Sequence, residues 1–387
     1  MSTGKEGSRI DWVKAGCHLL TGIEAEFART KPFRDMTIGT GIHLEPKTAI
    51  LLRTLHAGGA RIVATGNLNS TQPDTVDYLH QHGIEVIAEQ TMDQSVHDLS
   101  LNRVIAEKPD LILDNGGDLF AIYAEAPYPE LLGGTEETTS GRMRLAPMRE
   151  QLQRPILVIN DSPIKQFAEN RHAVGQSMFE SYMRLTNRST NGKRVTVFGY
   201  GACGRGVAAN FRNASANVSV VDADPVTTLE AHFDGFLTPP RDHAIRTADV
   251  IVTETGAVNV ITADDLGAMK DGAVLMNGGH FPTEIAVSDL LHSPQVVARD
   301  RFEEQDIETL HLKGGRTVHI LAGGHMANLA GPRPLGNSIE SMDLGFALQA
   351  RCLEHIASGK ASKDDCVVPV PPAIDAEIAE AYLDRHR

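Results

Sequence analysis

The sequence predicts an α/β protein made of two Rossmann-like, doubly wound parallel-sheet domains with a cleft between them. Short apolar, β-branched runs alternate with helical stretches along nearly the whole chain, the pattern of parallel sheets covered by helices. The alternation pauses near residues 175–192, where a helical stretch ends in the polar turn NRSTNGK and a second series of runs begins. With 387 residues and 41% apolar content, the chain can fill about two cores.

The first series of strands is expected at MTIGT (from Met36), ARIVAT (Ala60), IEVIA (Ile84), DLILDNGG (Asp110) and PILVIND (Pro155). Helices lie between them, one opened by Pro46 in PKTAILLRTL, where proline's missing N–H costs nothing. The second series runs through VTVFG (Val195), VSVVD (Val218), DVIVTET (Asp249), AVLMNGG (Ala273) and TVHILAGG (Thr317). Near Gly331 the segment GPRPLGNS interrupts it, and the helical SIESMDLGFALQARCLEHI follows.

Composition narrows the partners. A net charge of −14 argues against nucleic acid or an anionic membrane, both of which need basic surface. No apolar run reaches the length of a membrane span, and MSTGKEGSRIDW lacks the layout of a signal peptide. Cys17, Cys203, Cys352 and Cys366 are far apart and without metal-ligand spacing, so they read as reduced thiols. A soluble cytoplasmic protein without a metal is expected.

The sharpest local signal is VTVFGYGACGRGVAANF: a strand, then Gly199-x-Gly201-x-x-Gly204, then a helix. Gly199 permits the tight turn, Gly201 lets a pyrophosphate approach the backbone, and Gly204 lets the helix pack closely. The helix N-terminus offers free N–H groups to the phosphates. About twenty residues on, the next strand ends in Asp222, placed for the adenosine ribose hydroxyls. An acid there, with no arginine following in Ala223-Asp224, favours NAD over NADP.

Further ordered segments are GIHLEPKT (Gly41–Thr48), NLNSTQ (Asn67–Gln72), LDNGGDL (from Leu113), EETT (Glu136–Thr139), NDS (Asn160–Ser162) leading to Lys165 and Asn170, NGGHF (Asn277–Phe281) and ANL (Ala327–Leu329). Together they resemble the adenosylhomocysteinase (S-adenosylhomocysteine hydrolase) family, in its shorter branch. The resemblance implies a substrate-binding domain over 1–175, completed by about 333–366, an NAD-binding domain over 176–332, and a short C-terminal segment over 367–387. It also implies a homo-oligomer, dimer or tetramer, acting on a small nucleoside.

The family's chemistry works on the ribose of a 5′-substituted nucleoside. Enclosed NAD oxidises the 3′-hydroxyl, a base removes the 4′ proton, and the 5′ group leaves by elimination. In the hydrolase, water then adds and the hydroxyl is restored. Carried over by position, the resemblance makes Lys165 the base at the 3′-hydroxyl and Glu137 and Glu169 its ribose partners. His43 becomes the acid/base at the 5′ side and His280, with Phe281, a gate. Asn115 falls in the catalytic set. Thr138, Thr139, Asn170, Thr255, Gly256, Asn277 and Asn328 fall to the cofactor. Glu45, Lys47, Thr48, Asn337 and Met342 fall to the substrate. Lys47 suits an O6 carbonyl and Glu45 an N6 amine, which leaves adenine against hypoxanthine open.

Several positions depart from the family. Asn115 replaces the second aspartate of the LDNGGD segment and cannot exchange a proton at neutral pH, so Asp114 or His43 would have to cover for it. Glu169 replaces an aspartate and Val174 a cysteine or threonine. Asn337 replaces a histidine, and His325 an arginine. The chain ends at AEIAEAYLDRHR, without the family's long tail, which puts cofactor retention and assembly in question. These changes lead to the expectation of a nucleoside dehydratase leaving a 4′,5′-unsaturated sugar, as in angustmycin-type biosynthesis. The alternative is an ordinary S-adenosylhomocysteine or S-inosylhomocysteine hydrolase. A third reading, from another class, is a non-catalytic NAD-binding regulator.

Overall fold

The computed structural model describes residues 8–87, 90–385 and 387. Two units emerge, one from residues 1–166 with 339–387 and one from 167–338. The division falls before the helix at which the sequence suggested it. The C-terminal segment, expected to stand apart, belongs to the first unit.

The first unit holds a seven-stranded, wholly parallel sheet. Its strands are β1 (Thr37–Gly41), β2 (Arg61–Thr65), β3 (Glu85–Val86), β4 (Leu111–Asp114), β5 (Gly133–Glu136), β6 (Ile156–Val158) and, from the chain's end, Val368–Pro369. That last strand pairs with β6, and the spatial order is Val368–Pro369, β6, β5, β4, β1, β2, β3. β1, β4, β5 and β6 are almost entirely buried, as parallel strands covered on both faces must be. β5, sequence GGTE, was not foreseen, because two glycines hide it from any β-propensity reading. Its Gly134 packs so closely that a Cβ would lie 1.8 Å from the Ile112 carbonyl oxygen.

The chain leaves β1 toward β2 and β3, then returns on the other side to β4, β5 and β6. A crossover of this kind opens a crevice outside the carboxyl ends of the strands flanking it. Register aligns those ends: Gly41 lies opposite Asp114, and Asp114 opposite Glu136.

The second unit also carries seven strands: β7 (Arg194–Phe198), β8 (Asn217–Val221), β9 (Val250–Thr253), β10 (Ala273–Asn277), β11 (Val296–Phe302), β12 (Ile307–Leu312) and β13 (Thr317–Leu321). The order is β11, β12, β13, β10, β9, β7, β8. β7 to β10 and β13 are parallel, whereas β11 and β12 run antiparallel at one edge. An all-parallel sheet was expected. The sequence VVARDRF of β11 is charged and mostly exposed, so it carries no core signal, and its charges blunt the open edge. Here too the chain crosses over beside its first strand, since β7 lies between β8 and β9.

A nine-residue π-helical segment, Lys165–Ala173, precedes the helix Val174–Thr186. Such wide turns are rare and concentrate at functional positions. Among the described residues no helix is long and apolar enough to cross a membrane, and no three His, Cys, Asp or Glu cluster to hold a metal.

Candidate active site

In the first unit, strand periodicity decides which carboxyls face which way. Successive residues point to opposite faces, so Asp114 and Asn115 diverge at the end of β4, as do Glu136 and Glu137 at the end of β5. Asp114 and Glu136 turn inward and are fully buried. The Asp114 carboxylate accepts from the N–H groups of Asn115 (2.9 Å) and Phe120 (3.0 Å). Glu136 accepts from the N–H groups of Gly116, Gly117 and Thr138 and from the Thr138 hydroxyl. Burial, followed by the charge of Asp118, pushes the Asp114 carboxyl up to about 7. Burial and then Asp114 push Glu136 well above the usual carboxylate range. Asp114 is thus occupied in shaping the loop after β4 and does not take the place left by Asn115.

The outward pair meets across the register. Asn115 Nδ2 donates to Glu137 Oε2 at 2.8 Å, and Lys165 Nζ donates to Glu137 Oε1 at 2.9 Å. All three residues are buried. Burial alone would raise the Glu137 carboxyl; the Lys165 charge and the hydrogen bonds from Lys165 and Asn115 overcome it and hold Glu137 below its ordinary value.

The run continues to the 5′-side candidate. Asn67 Nδ2 donates to Asn115 Oδ1 at 2.8 Å and lies 3.5 Å from His43 Nε2. His43 Nδ1 is 2.6 Å from Ser70 Oγ, which donates to the Asn67 carbonyl at 3.0 Å. With the Ser70 proton given to that carbonyl, its lone pair accepts from His43 Nδ1–H, so Nε2 faces the Asn67 amide as an acceptor. Lys165, Glu137, Asn115, Asn67, His43 and Ser70 therefore form one hydrogen-bonded run along the carboxyl edge. Asn67 and Ser70 lie in the NLNSTQ segment, but a role for them was not foreseen; each follows a strand end by a few residues, the signal that marks such positions.

Nearby substrate candidates are fixed by local structure. Thr48 donates from Oγ1 to the His43 carbonyl (2.6 Å), tying the loop to the helix Pro46–Ala57. Glu45 caps that helix, and its carboxylate pairs with Lys47 Nζ at 2.8 Å, both residues buried. The two readers of the purine 6-position considered from sequence are thus partners of each other. Met342 is buried on the helix Ile339–Ala357. Thr138 caps the helix Thr139–Leu145 through the Gly141 N–H, so its hydroxyl is engaged within the unit. Glu169 is buried in the π-helical segment, with Asn170 beside it.

In the second unit the glycine-rich loop has the form the motif requires. Gly199 adopts φ 92°, and a Cβ on Gly204 would sit 2.0 Å from the Gly199 carbonyl oxygen. Gly201 has open space where its side chain would be, and it begins the helix Ala202–Asn213 without a side-chain cap. The helix N–H groups are therefore left for an anion. Asp222, partly exposed at the end of β8, accepts from the N–H groups of Tyr200 (2.7 Å) and Asp224 (2.9 Å), which orients its carboxylate beside the loop.

Thr255 and Gly256 follow β9. Their N–H groups and the Thr255 hydroxyl donate to Glu284 at 2.7–2.9 Å. The Asn328 amide donates to Ser177 Oγ, which donates on to Asn337 Oδ1, while Asn328 Oδ1 is buried with no protein partner among the described residues. A carboxamide N–H of a bound nicotinamide would satisfy that acceptor. Asn277 differs from expectation. Its side chain accepts from Thr253 and Gly279 and donates to the carbonyls of Gly279, Phe281 and Gly324. An amide so saturated has nothing to give a ligand; it braces the loop that carries His280 and Phe281, whose rings meet edge-on at 4.6 Å.

The open loop, the uncapped helix, the oriented Asp222 and the orphaned Asn328 acceptor all fit NAD. Fold and loop together define an α/β enzyme that uses this dinucleotide.

Comparison with known proteins gives the family. The S-adenosyl-L-homocysteine hydrolase model matches residues 8–127, and the model of that family's NAD-binding domain matches residues 170–333. The chain is 40% identical to an adenosylhomocysteinase of Thermotoga maritima, over 99% of its own length and 95% of that protein's. It is 37% identical to an adenosylhomocysteinase of Thermococcus kodakarensis, over 97% and 89% of the respective lengths. It is 36% identical to an S-inosyl-L-homocysteine hydrolase of Methanopyrus kandleri, again over 97% and 89%. The chain belongs to the S-adenosyl-L-homocysteine hydrolase family.

Proposed function

We propose that this enzyme cleaves the thioether of a purine-nucleosyl homocysteine, releasing homocysteine and the nucleoside. The observation that carries the reading is the buried Lys165–Glu137 pair, hydrogen-bonded through Asn115 and Asn67 to His43 along one sheet edge. Relatives named adenosylhomocysteinase and S-inosyl-L-homocysteine hydrolase support the hydrolytic outcome over the dehydratase expected from the sequence.

The C4′–H of an intact ribose is too weak an acid for any side chain to remove, whereas a carbonyl at C3′ makes it removable. The chemistry that bound NAD supplies is reversible hydride acceptance at C3′. The protein's own part is proton handling. Lys165 Nζ takes the 3′-hydroxyl proton after passing its own proton to Glu137 Oε1, 2.9 Å away, so that the pair as a whole gains the proton and Glu137 keeps the nitrogen in place. Glu169 holds the neighbouring ribose hydroxyl, and Asn170 orients the ring. His43 Nε2, an acceptor in the resting site, first takes up a proton on the 5′ side and then gives it to the departing sulfur. The two amides between Glu137 and His43 transmit geometry but no proton, because an amide does not titrate near neutrality. The 3′ and 5′ proton transfers are therefore kept separate.

That separation is the one observation that favours dehydration as a second reading, since Asn115 withholds a titratable group where water would be handled. The experiment offers S-adenosylhomocysteine, S-inosylhomocysteine and adenosine separately to NAD-loaded protein. Thiol should appear in step with nucleoside from one or both thioethers. No thiol from either, with loss of water from adenosine by mass, would replace this reading with the dehydratase.

A further inference from the structure

The second unit contains a carboxyl group outside the proton-handling residues, that of Glu254. Glu254 is the first residue beyond β9, at the crossover crevice beside β7. Its N–H donates to the Phe198 carbonyl (2.8 Å), and its own carbonyl packs against Gly199, where a Cβ would lie only 2.4 Å away. Its backbone is therefore clamped to the start of the glycine-rich loop. The side chain reaches across to the end of β10. There Oε1 presses on Gly278, 1.9 Å from where a Cβ would stand, buried and without a hydrogen-bond partner among the described residues.

An acceptor shut away without a donor is costly, and the adjacent charge makes an ionised Glu254 costlier. Glu284 takes three hydrogen bonds from Thr255 and Gly256, which suit its anionic form. Burial, followed by the Glu284 charge, drives the Glu254 carboxyl well above the usual carboxylate range. The other charged groups on the surrounding elements are His280, on the loop after β10, and Asp222, at the end of β8 beyond β7. Of the three, Glu284 is the one that acts on Glu254.

We propose that Glu254 is a direct ligand of the dinucleotide, donating the proton of its carboxyl to a phosphate or ribose oxygen at the crossover crevice. A carboxylate in this place would set a second negative charge beside Glu284 and against the pyrophosphate; the acid form removes the repulsion and supplies a donor. Glu254 then makes cofactor affinity depend on pH. The carboxyl favours its protonated state in the complex, so binding weakens as pH rises, by at most about tenfold per pH unit for one proton.

The inference rests on NAD being the cofactor, and the test separates the two. NAD binding to stripped protein is followed by calorimetry between about pH 6 and pH 9, for the native chain and for Glu254→Gln, which keeps a donor that cannot ionise. Affinity should fall with pH in the native chain and stay level in Glu254→Gln. At the high end the variant should bind about tenfold or more tighter. The same slope in both proteins would assign the titration to another group, such as His280, and overturn the proposal, as would a level profile in both. Absence of NAD binding by the native chain would remove the cofactor reading itself.

Discussion

The carboxyl edges of the two sheets share one topology, a crossover beside the first strand, yet they are built from opposite materials. Along the first, side chains from four strand ends and one π-helical turn are already joined to one another, from Lys165 through Glu137, Asn115 and Asn67 to His43. Along the second, the key surfaces are left open: Gly201 has free space beside it, the following helix has no side-chain cap, and Asn328 Oδ1 has no partner among the described residues. The contrast fits the function proposed for each edge. Proton transfer needs side chains fixed within tenths of an ångström before substrate arrives, whereas a pyrophosphate needs room and free N–H groups.

If the first edge is pre-assembled, breaking its central pair should have the largest effect on stability. Lys165→Met leaves Glu137 buried without its counter-charge and should cost about 3–5 kcal/mol in urea unfolding. The double change Lys165→Met with Glu137→Gln should recover most of that loss. An unaltered midpoint for the single variant would mean that the pair is not linked as described.

The second edge should fail in a different way. Gly204→Ala drives a Cβ to 2.0 Å from the Gly199 carbonyl oxygen, so loop and helix must part. Stability should fall by about 1–3 kcal/mol, from local overpacking alone, while NAD affinity drops by more than about tenfold, since the phosphate cradle itself is displaced. Equal affinity in calorimetry would show that the cradle tolerates the shift.

The smallest effect concerns the floor beneath the first edge. Asp114 is raised to about 7 by burial and then Asp118, and Glu136 is raised in the same direction by burial and then Asp114. An unfolded carboxyl titrates near 4, so between about pH 4 and pH 7 the folded chain binds more protons than the unfolded one. These groups stabilise fully below the unfolded value and lose their contribution as pH rises through the folded one. Unfolding free energy should therefore fall from about pH 4 to pH 7, by no more than about 1.4 kcal/mol per pH unit for each group. A rise across that window would reverse the assignment.

How much of this could be read in the sequence depended on how each element announces itself. The buried strands β1, β2, β4 and β6–β10 are apolar and stand out. β5 is not legible, because Gly133 and Gly134 serve close packing and supply no β-branched signal. β11 is not legible because it is exposed and charged, and β12, IETLHL, is not legible because polar residues break up its short apolar run although Leu310 and Leu312 are buried. The π-helical turn leaves no pattern at all. At the site, Lys165, Glu137, His43 and Asn115 are legible through the ordered segments that carry the family resemblance, and the glycines through their spacing. What spacing could not give was direction. That Glu136 turns inward and Glu137 outward follows from strand alternation only once β5 is known to exist. Asn277 is a loop brace because its partners lie in three separate segments. Glu254 belongs to no sequence motif; its environment comes from Gly278 and Glu284, which only the fold brings beside it.

On the function proposed, the buried Lys165–Glu137 pair serves the sugar's 3′-hydroxyl. Reduced-nicotinamide absorbance decides it, read when adenosine is mixed with NAD-loaded protein, native and Lys165→Met, with NAD occupancy and folding checked in both. The native protein should develop the band and the variant should not; an undiminished band in Lys165→Met would remove the pair from that role.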